Sequence, residues 1–224
     1  MTTLGKGLVS ATLGLAAFGL LLFLPAGTLH YWQAWVFLAV FAFSTWVPSV
    51  YLMRTNPAAL ERRMRAGPSA ETRRLQQIVI TVVYICFPAM FVVSALDHRF
   101  RWSPVPAGVC LVGDVLVAIG LGVAMAVVIQ NGYAAANVTI EAGQTLVSTG
   151  LYGLVRHPMY TGNVILMVGI PLALGSYWGL MFVVPGVIVL VLRICDEEKL
   201  LEGELSGYGA YMQKVRFRLV PYLW

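Results

Sequence analysis

Arg156-His157-Pro158-Met159-Tyr160 opens a run, Thr161 to Leu192, without a single charged residue, and the run closes on Arg193 and the pair Glu197-Glu198. At about 1.5 Å of rise per helical residue, the stretch is long enough to enter a bilayer core of roughly 30 Å and turn back. Two helices, about 160–174 and 178–196, are expected, with Pro171 and Gly175-Ser176 as turn residues. Such a hairpin returns the acidic end to the membrane face where the Arg-His end began.

The flanking sequence has the same character. Of 224 residues, 59% are hydrophobic and 11% charged, whereas soluble domains carry about 25% charge. Mean hydropathy is +0.79. Lys6 to Arg54 and Arg74 to Asp97 are free of charge in between, and Arg101 to Glu141 is broken only by Asp114. Each gap holds one or two spans of roughly 20 residues. The expected fold class is therefore all-α: a polytopic membrane helix bundle of about five to six transmembrane segments, forming a single integral membrane domain over 1–224. Further segments are expected at about 8–26, 31–53, 76–96 and 105–130. A secretory signal peptide fits the N-terminus poorly, because Leu8–Leu24 is long for one and Pro25-Ala26-Gly27 is a poor cleavage site. The first two segments read instead as a hairpin turned at Pro25–Thr28.

The connector 54–75 carries Arg54, Arg62, Arg63, Arg65, Arg73 and Arg74 against Glu61 and Glu71. By the positive-inside rule it faces the cytoplasm. That places 97–104 outside and returns the chain to the cytoplasm near Asn131. Within the connector, Asn56 reads as a helix cap with Pro57 at the first helical position. Gly67-Pro68 reads as the stop of that helix and Ser69 as the next cap; Leu60, Met64 and the arginines fit an amphipathic helix in the headgroup layer, and equally a basic topology determinant with no partner of its own. The net charge of +5 is no nucleic-acid signal, because the arginines cluster beside spans; no nucleic-acid partner is expected. Cys86, Cys110 and Cys195 lack CxxC or Cys/His neighbours and read as small buried hydrophobes; no metal site is expected. Gly120-Leu121-Gly122 lies inside a span and reads as a place of close helix approach rather than a dinucleotide loop. His30, Tyr31 and Trp32 read as an interfacial belt. Asp114, an acid inside a span, reads as neutral or paired with a residue such as Arg101.

Arg156 and His157 precede a helix that Pro158 can start, and a helix N-terminus presents free N–H groups and partial positive charge suited to an anion. Glu197 and Glu198 suit ribose hydroxyls, an ammonium or a sulfonium-bearing ligand. Arg193, four residues before Glu197, also has the spacing of a same-face salt bridge. Polar groups gathered at one membrane face against apolar walls are what a polar cofactor and a lipid-soluble substrate would need.

These residues resemble the isoprenylcysteine carboxyl methyltransferase group of integral membrane enzymes, marked by an RHPxY motif, a hydrophobic stretch and a Glu-Glu pair. The resemblance extends upstream through Gln144–Tyr152 and downstream to Tyr208, Tyr211 and Pro221-Tyr222, covering about 130–224. It implies S-adenosylmethionine as cofactor, bound by 131–224 in a cytoplasm-facing pocket of an inner or plasma membrane protein, with 1–130 supplying N-terminal helices. Carried over, Gln144, Leu146, Val147, Gly150, Tyr152, His157, Pro158, Tyr160, Glu197 and Glu198 would hold the cofactor. Arg156 and Arg193 would orient a substrate carboxylate, with Glu198 as a further catalytic residue. The implied partners are membrane lipids and a lipophilic or prenylated substrate. Carboxyl O-methylation is the first function implied; phospholipid amine N-methylation and a non-enzymatic membrane adaptor are the alternatives. Membrane sterol reductases end in a similar motif, but they need more spans than this length allows.

Overall fold

The computed structural model describes residues 3–64, 73–134 and 143–224. Every regular element among them is helical: α1 (Thr3–Ala26), α2 (Trp32–Thr55), α3 (Pro57–Met64), α4 (Arg74–Phe100), α5 (Ala107–Gln130), α6 (Pro158–Ala173), α7 (Val183–Glu204) and α8 (Tyr208–Lys214). Short 3-10 turns occupy Gly150–Gly153 and Trp178–Phe182. By length and composition, α2, α4, α5 and the stretch Trp178–Glu204 can cross a membrane, and Thr12–Ala26 and Pro158–Ala173 are shorter apolar helices beside them. The chain is a polytopic helical bundle.

Helices in lipid gain little from hiding apolar surface, so close van der Waals approach and internal polar contacts hold them together. The α5–α6 pair shows this most clearly. A methyl group at Gly120 would meet the Gly162 carbonyl at 2.7 Å, and one at Gly169 would meet the Val117 backbone nitrogen at 2.9 Å. A methyl at Gly113 would collide with the backbone of Leu172 and Ala173. These pairings run in opposite directions along the chain, so the helices are antiparallel. Gly122 differs from the expectation: nothing lies within 4 Å of the place its methyl would take. Two residues beyond Gly120, at about 100° per residue, it is turned roughly 200° away from the seam, and only Gly120 is needed there. Phe18, Phe37, Phe41, Phe87 and Phe91 form an aromatic core among α1, α2 and α4.

The turns follow local chemistry. Gly27 takes φ +67° after α1. Gly175 takes φ +70°, with its N–H donating to Leu172 O (2.9 Å) and Ser176 N–H donating to Pro171 O (2.8 Å). This is the paired closure of a glycine-terminated helix. Pro171 lies within the last turn of α6, so the turn itself belongs to Gly175-Ser176. Asn56 caps α3 through its Oδ1, which accepts the Ala59 N–H at 3.1 Å. Gly67-Pro68 and Ser69 lie outside the described residues.

At the end of the bundle opposite α3, Asp97 is buried and accepts from Ser103 N (2.7 Å), Ser103 Oγ (2.7 Å) and Ser176 Oγ (2.5 Å). Tyr31 is fully buried there, stacked on His98 at 3.8 Å, and its hydroxyl donates to Leu174 O at 2.6 Å. Tyr31 is thus a core residue, while Trp32 remains exposed as a belt residue would. Asp114 is buried, and among the described residues neither carboxylate oxygen has a hydrogen-bond partner, so Arg101 does not pair with it. Cys110 is buried, and Cys86 and Cys195 are partly so. The last long helix runs to Glu204, two turns past the acidic pair, because Leu201 and Leu205 continue its packing against Tyr208 and Tyr211.

Gly113→Ala should lower the stability of the detergent-solubilised protein by about 1–3 kcal/mol, the usual cost of overpacking. Gly122→Ala should leave it unchanged; thermal melts of the two variants compare them directly.

Candidate functional site

The α6–α7 antiparallel pair brings Arg156, His157 and Tyr160 to the end of the bundle where Arg193, Glu197 and Glu198 stand. The segment before α6 is an irregular link after the 3-10 turn Gly150–Gly153, and the chain after α8 lies alongside it. Arg156 N–H donates to Phe217 O and His157 N–H to Arg218 O, each at 2.9 Å. Thr161 Oγ1 donates to Leu219 O at 2.7 Å. Pro158 then begins α6 where a proline costs no hydrogen bond.

Glu198 ties this segment together. Its Oε1 accepts from Arg156 Nε at 2.7 Å and lies 3.2 Å from His157 Nε2, while Oε2 accepts from Arg218 Nε at 2.8 Å. Glu198, Arg156 and His157 are all buried. Arg156 Nη1 also donates to the carbonyls of Val215 (2.9 Å) and Arg216 (3.1 Å).

Glu197, one residue earlier on α7, projects about 100° away. Tyr160 OH donates to Glu197 Oε2 at 2.5 Å and accepts from Arg193 Nε at 2.9 Å. The tyrosine hydroxyl thus links Arg193 to Glu197, the two residues whose spacing suggested a same-face pair. Arg193 Nη1 donates to Gln76 Oε1 (2.9 Å), Gln76 Nε2 donates to Asp196 Oδ2 (2.7 Å), and Asp196 pairs with Arg73 at 2.6 Å.

A cleft opens above these contacts. One part of its wall is polar, with Arg156, His157, Tyr160 and Glu197; the other is apolar and aromatic, with Leu146, Tyr152, Leu201, Leu205, Tyr208 and Tyr211. Gln144, Val147 and Pro158 also line it. Three expected site residues stand off the wall. Glu198 is behind it, joined to Arg156 and His157; Arg193 is below Tyr160; Gly150 turns at φ +57° against the Gln130 side chain. Tyr211 OH donates to Tyr152 O at 2.7 Å, and Asn131 Nδ2 donates to Tyr152 OH at 3.1 Å. Tyr208 OH is buried with no hydrogen-bond partner among the described residues. Burial pushes the phenols of Tyr152, Tyr208 and Tyr211 above their ordinary range, so all three remain protonated and able to donate at neutral pH.

Sequence reasoning missed Gln76, Asp196 and Arg218, and also Asn131 and Tyr133, which line the cleft. Asp196 had a signal, since it makes the acidic pair a run of three. Gln76, on a helix far away in the chain, had only its polarity within an apolar span.

The phospholipid methyltransferase family model matches residues 109–205. The matched stretch includes α5, α6 and α7, hence the polar wall and the Glu pair. That family is one of membrane methyltransferases related to the isoprenylcysteine group, and the match supports a membrane methyltransferase without separating the two. No curated protein matches the chain.

Glu198→Ala removes the carboxylate shared by Arg156 and Arg218 and leaves the buried Arg156 charge uncompensated, and should cost about 3 kcal/mol or more of stability. Glu197→Ala removes one hydrogen bond from Tyr160 and should cost about 1 kcal/mol. Urea or thermal unfolding in detergent measures the difference.

Proposed function

We propose that the cleft binds S-adenosylmethionine and that the protein transfers its methyl group to the carboxylate of a lipophilic, membrane-held acceptor, a prenylated molecule among them. The observation that carries this reading is the unpartnered Tyr208 hydroxyl, buried beside a wall that changes from aromatic to charged. An orphaned buried hydroxyl costs free energy unless a ligand completes it. The composition of the wall fits the cofactor. Leu146, Tyr152, Leu201 and Tyr208 suit a purine, and Gln144 and Glu197 suit ribose hydroxyls or an ammonium group. When bound, S-adenosylmethionine supplies an electrophilic methyl on a sulfonium.

The chain's own part is positioning. Glu197 holds a cationic or hydroxyl-bearing ligand, and Glu198 acts at one remove by aiming Arg156 and His157. Arg156 lines the cleft and is the residue to face an acceptor carboxylate; Arg193 steadies Tyr160. Fixed dipoles in a cleft with little water help a reaction that consumes opposite charges, and alignment of donor with acceptor supplies much of the rest. The arginine-rich connector supports a cleft on the cytoplasmic side, by the positive-inside rule. A second reading, methylation of a phospholipid amine, draws support from the matched family's description and from the Glu197 carboxylate on the wall. A carboxylate there serves as proton acceptor for an amine.

Calorimetry of the detergent-solubilised protein with S-adenosylhomocysteine should give saturable heat. Tyr208→Phe should weaken binding about 3–10-fold, as loss of one hydrogen bond does, with an unchanged melting temperature. Absence of heat with folded protein would favour the adaptor reading. Labelled methyl transfer to lipid extract then separates the acceptors: a base-labile product is an ester, and a base-stable one is an N-methyl group.

A further inference from the structure

We infer that Gln76, on α4, is a positioning residue of the cleft: acting through Arg193, it fixes the direction in which the Tyr160 hydroxyl meets Glu197. The inference rests on the donor-binding reading above and deepens it. Gln76 has no exposed surface, in a helix apolar enough to cross a membrane. Its amide is used at both ends. Oε1 accepts from Arg193 Nη1 at 2.9 Å, and Nε2 donates to Asp196 Oδ2 at 2.7 Å and to Arg193 O at 3.4 Å. A neutral amide is the side chain that satisfies a cation and an anion together while adding no charge of its own. Leucine would take one hydrogen-bond partner from each, and a charged residue would repel one of them.

The chain of contacts has a direction. Arg193 can only donate, so the Tyr160 oxygen must accept from its Nε at 2.9 Å. The single phenolic proton is thereby turned to Glu197 Oε2 at 2.5 Å. Glu197 and Tyr160 both line the cleft, so the position of one guanidinium sets the orientation of two wall residues. Asp196, which steadies the amide, is itself held by Arg73 through its carboxylate at 2.6 Å and its carbonyl at 3.1 Å. Gln76 and Arg73 lie outside the segment matched by the family model. The N-terminal half of the molecule therefore contributes to the geometry of a wall whose lining residues come from the C-terminal half.

The groups facing residue 76 are Arg193 and Asp196 of α7 and Arg73 just before α4, with Tyr160 of α6 beyond Arg193. Gln76→Leu should weaken S-adenosylhomocysteine binding about tenfold. Gln76→Glu gives the sharper readout. As a carboxylate it repels Asp196, whereas protonated it donates to Asp196 and accepts from Arg193 as the amide does. Its affinity relative to wild type should thus recover as pH falls. Wild-type affinity in both variants, or a ratio for Gln76→Glu that stays flat with pH, would overturn the inference. A Gln76→Leu protein that fails to fold leaves the Glu variant to decide. If wild type itself gives no heat, the donor reading fails and the network is judged by melting temperatures. Coupled losses for Gln76→Leu and Tyr160→Phe in a double-mutant cycle support it, and additive losses overturn it.

Discussion

A buried carboxylate surrounded by two guanidiniums and an imidazole cannot be left half-made. Taking each ion out of water costs several kcal/mol, and only a complete set of partners offsets it. Glu198 has that set: Arg156 from the segment before α6, His157 beside it, and Arg218 from the chain beyond α8. Three stretches separated in sequence are thereby fixed relative to one another, and the polar wall of the cleft is the surface they present. The neighbouring acid is left for a different task. Glu197 stands on the wall itself, held by one tyrosine hydroxyl.

Beneath the wall, α6 can carry Tyr160 to this position only because it lies almost against α5. The glycines at 113, 120, 162 and 169 remove the side chains that would keep the two helices apart. Lipid supplies little hydrophobic drive between spans, so this contact relies on backbone proximity. Gln76 adds a polar crosslink from α4, and the Asp97–Ser176 contact closes the other end of the bundle.

Much of this was legible in the sequence, for identifiable reasons. The hairpin that unites the Arg-His and Glu-Glu ends follows from a charge-free run of the right length. Asn56-Pro57 and Pro158 announce helix starts through capping chemistry, and the glycine pattern announces close packing. The division of labour between Glu197 and Glu198 was not legible, because it depends on how α7 is rotated about its axis. Tyr31 was misread because an aromatic residue at a span's end has the same sequence signature whether it faces lipid or core. Glycines 120 and 122 look alike until the register of α5 on α6 is known. Gln76 gave no local pattern, since its partners lie 117 and 120 residues away.

The order in which the chain is made bears on the Arg156 contacts. During synthesis, Arg156 and His157 emerge well before Glu198, and before the carbonyls of Val215 and Arg216 that Arg156 also holds. Until those groups arrive, a guanidinium destined for the interior has to wait in headgroup water, with α6 unable to settle fully against its neighbours. The cleft consequently matures only after Glu198, Val215 and Arg216 have been made. A nascent chain stalled at that stage displays unshielded charge at the lipid boundary, the kind of defect by which quality-control machinery can tell an unfinished membrane protein from a finished one.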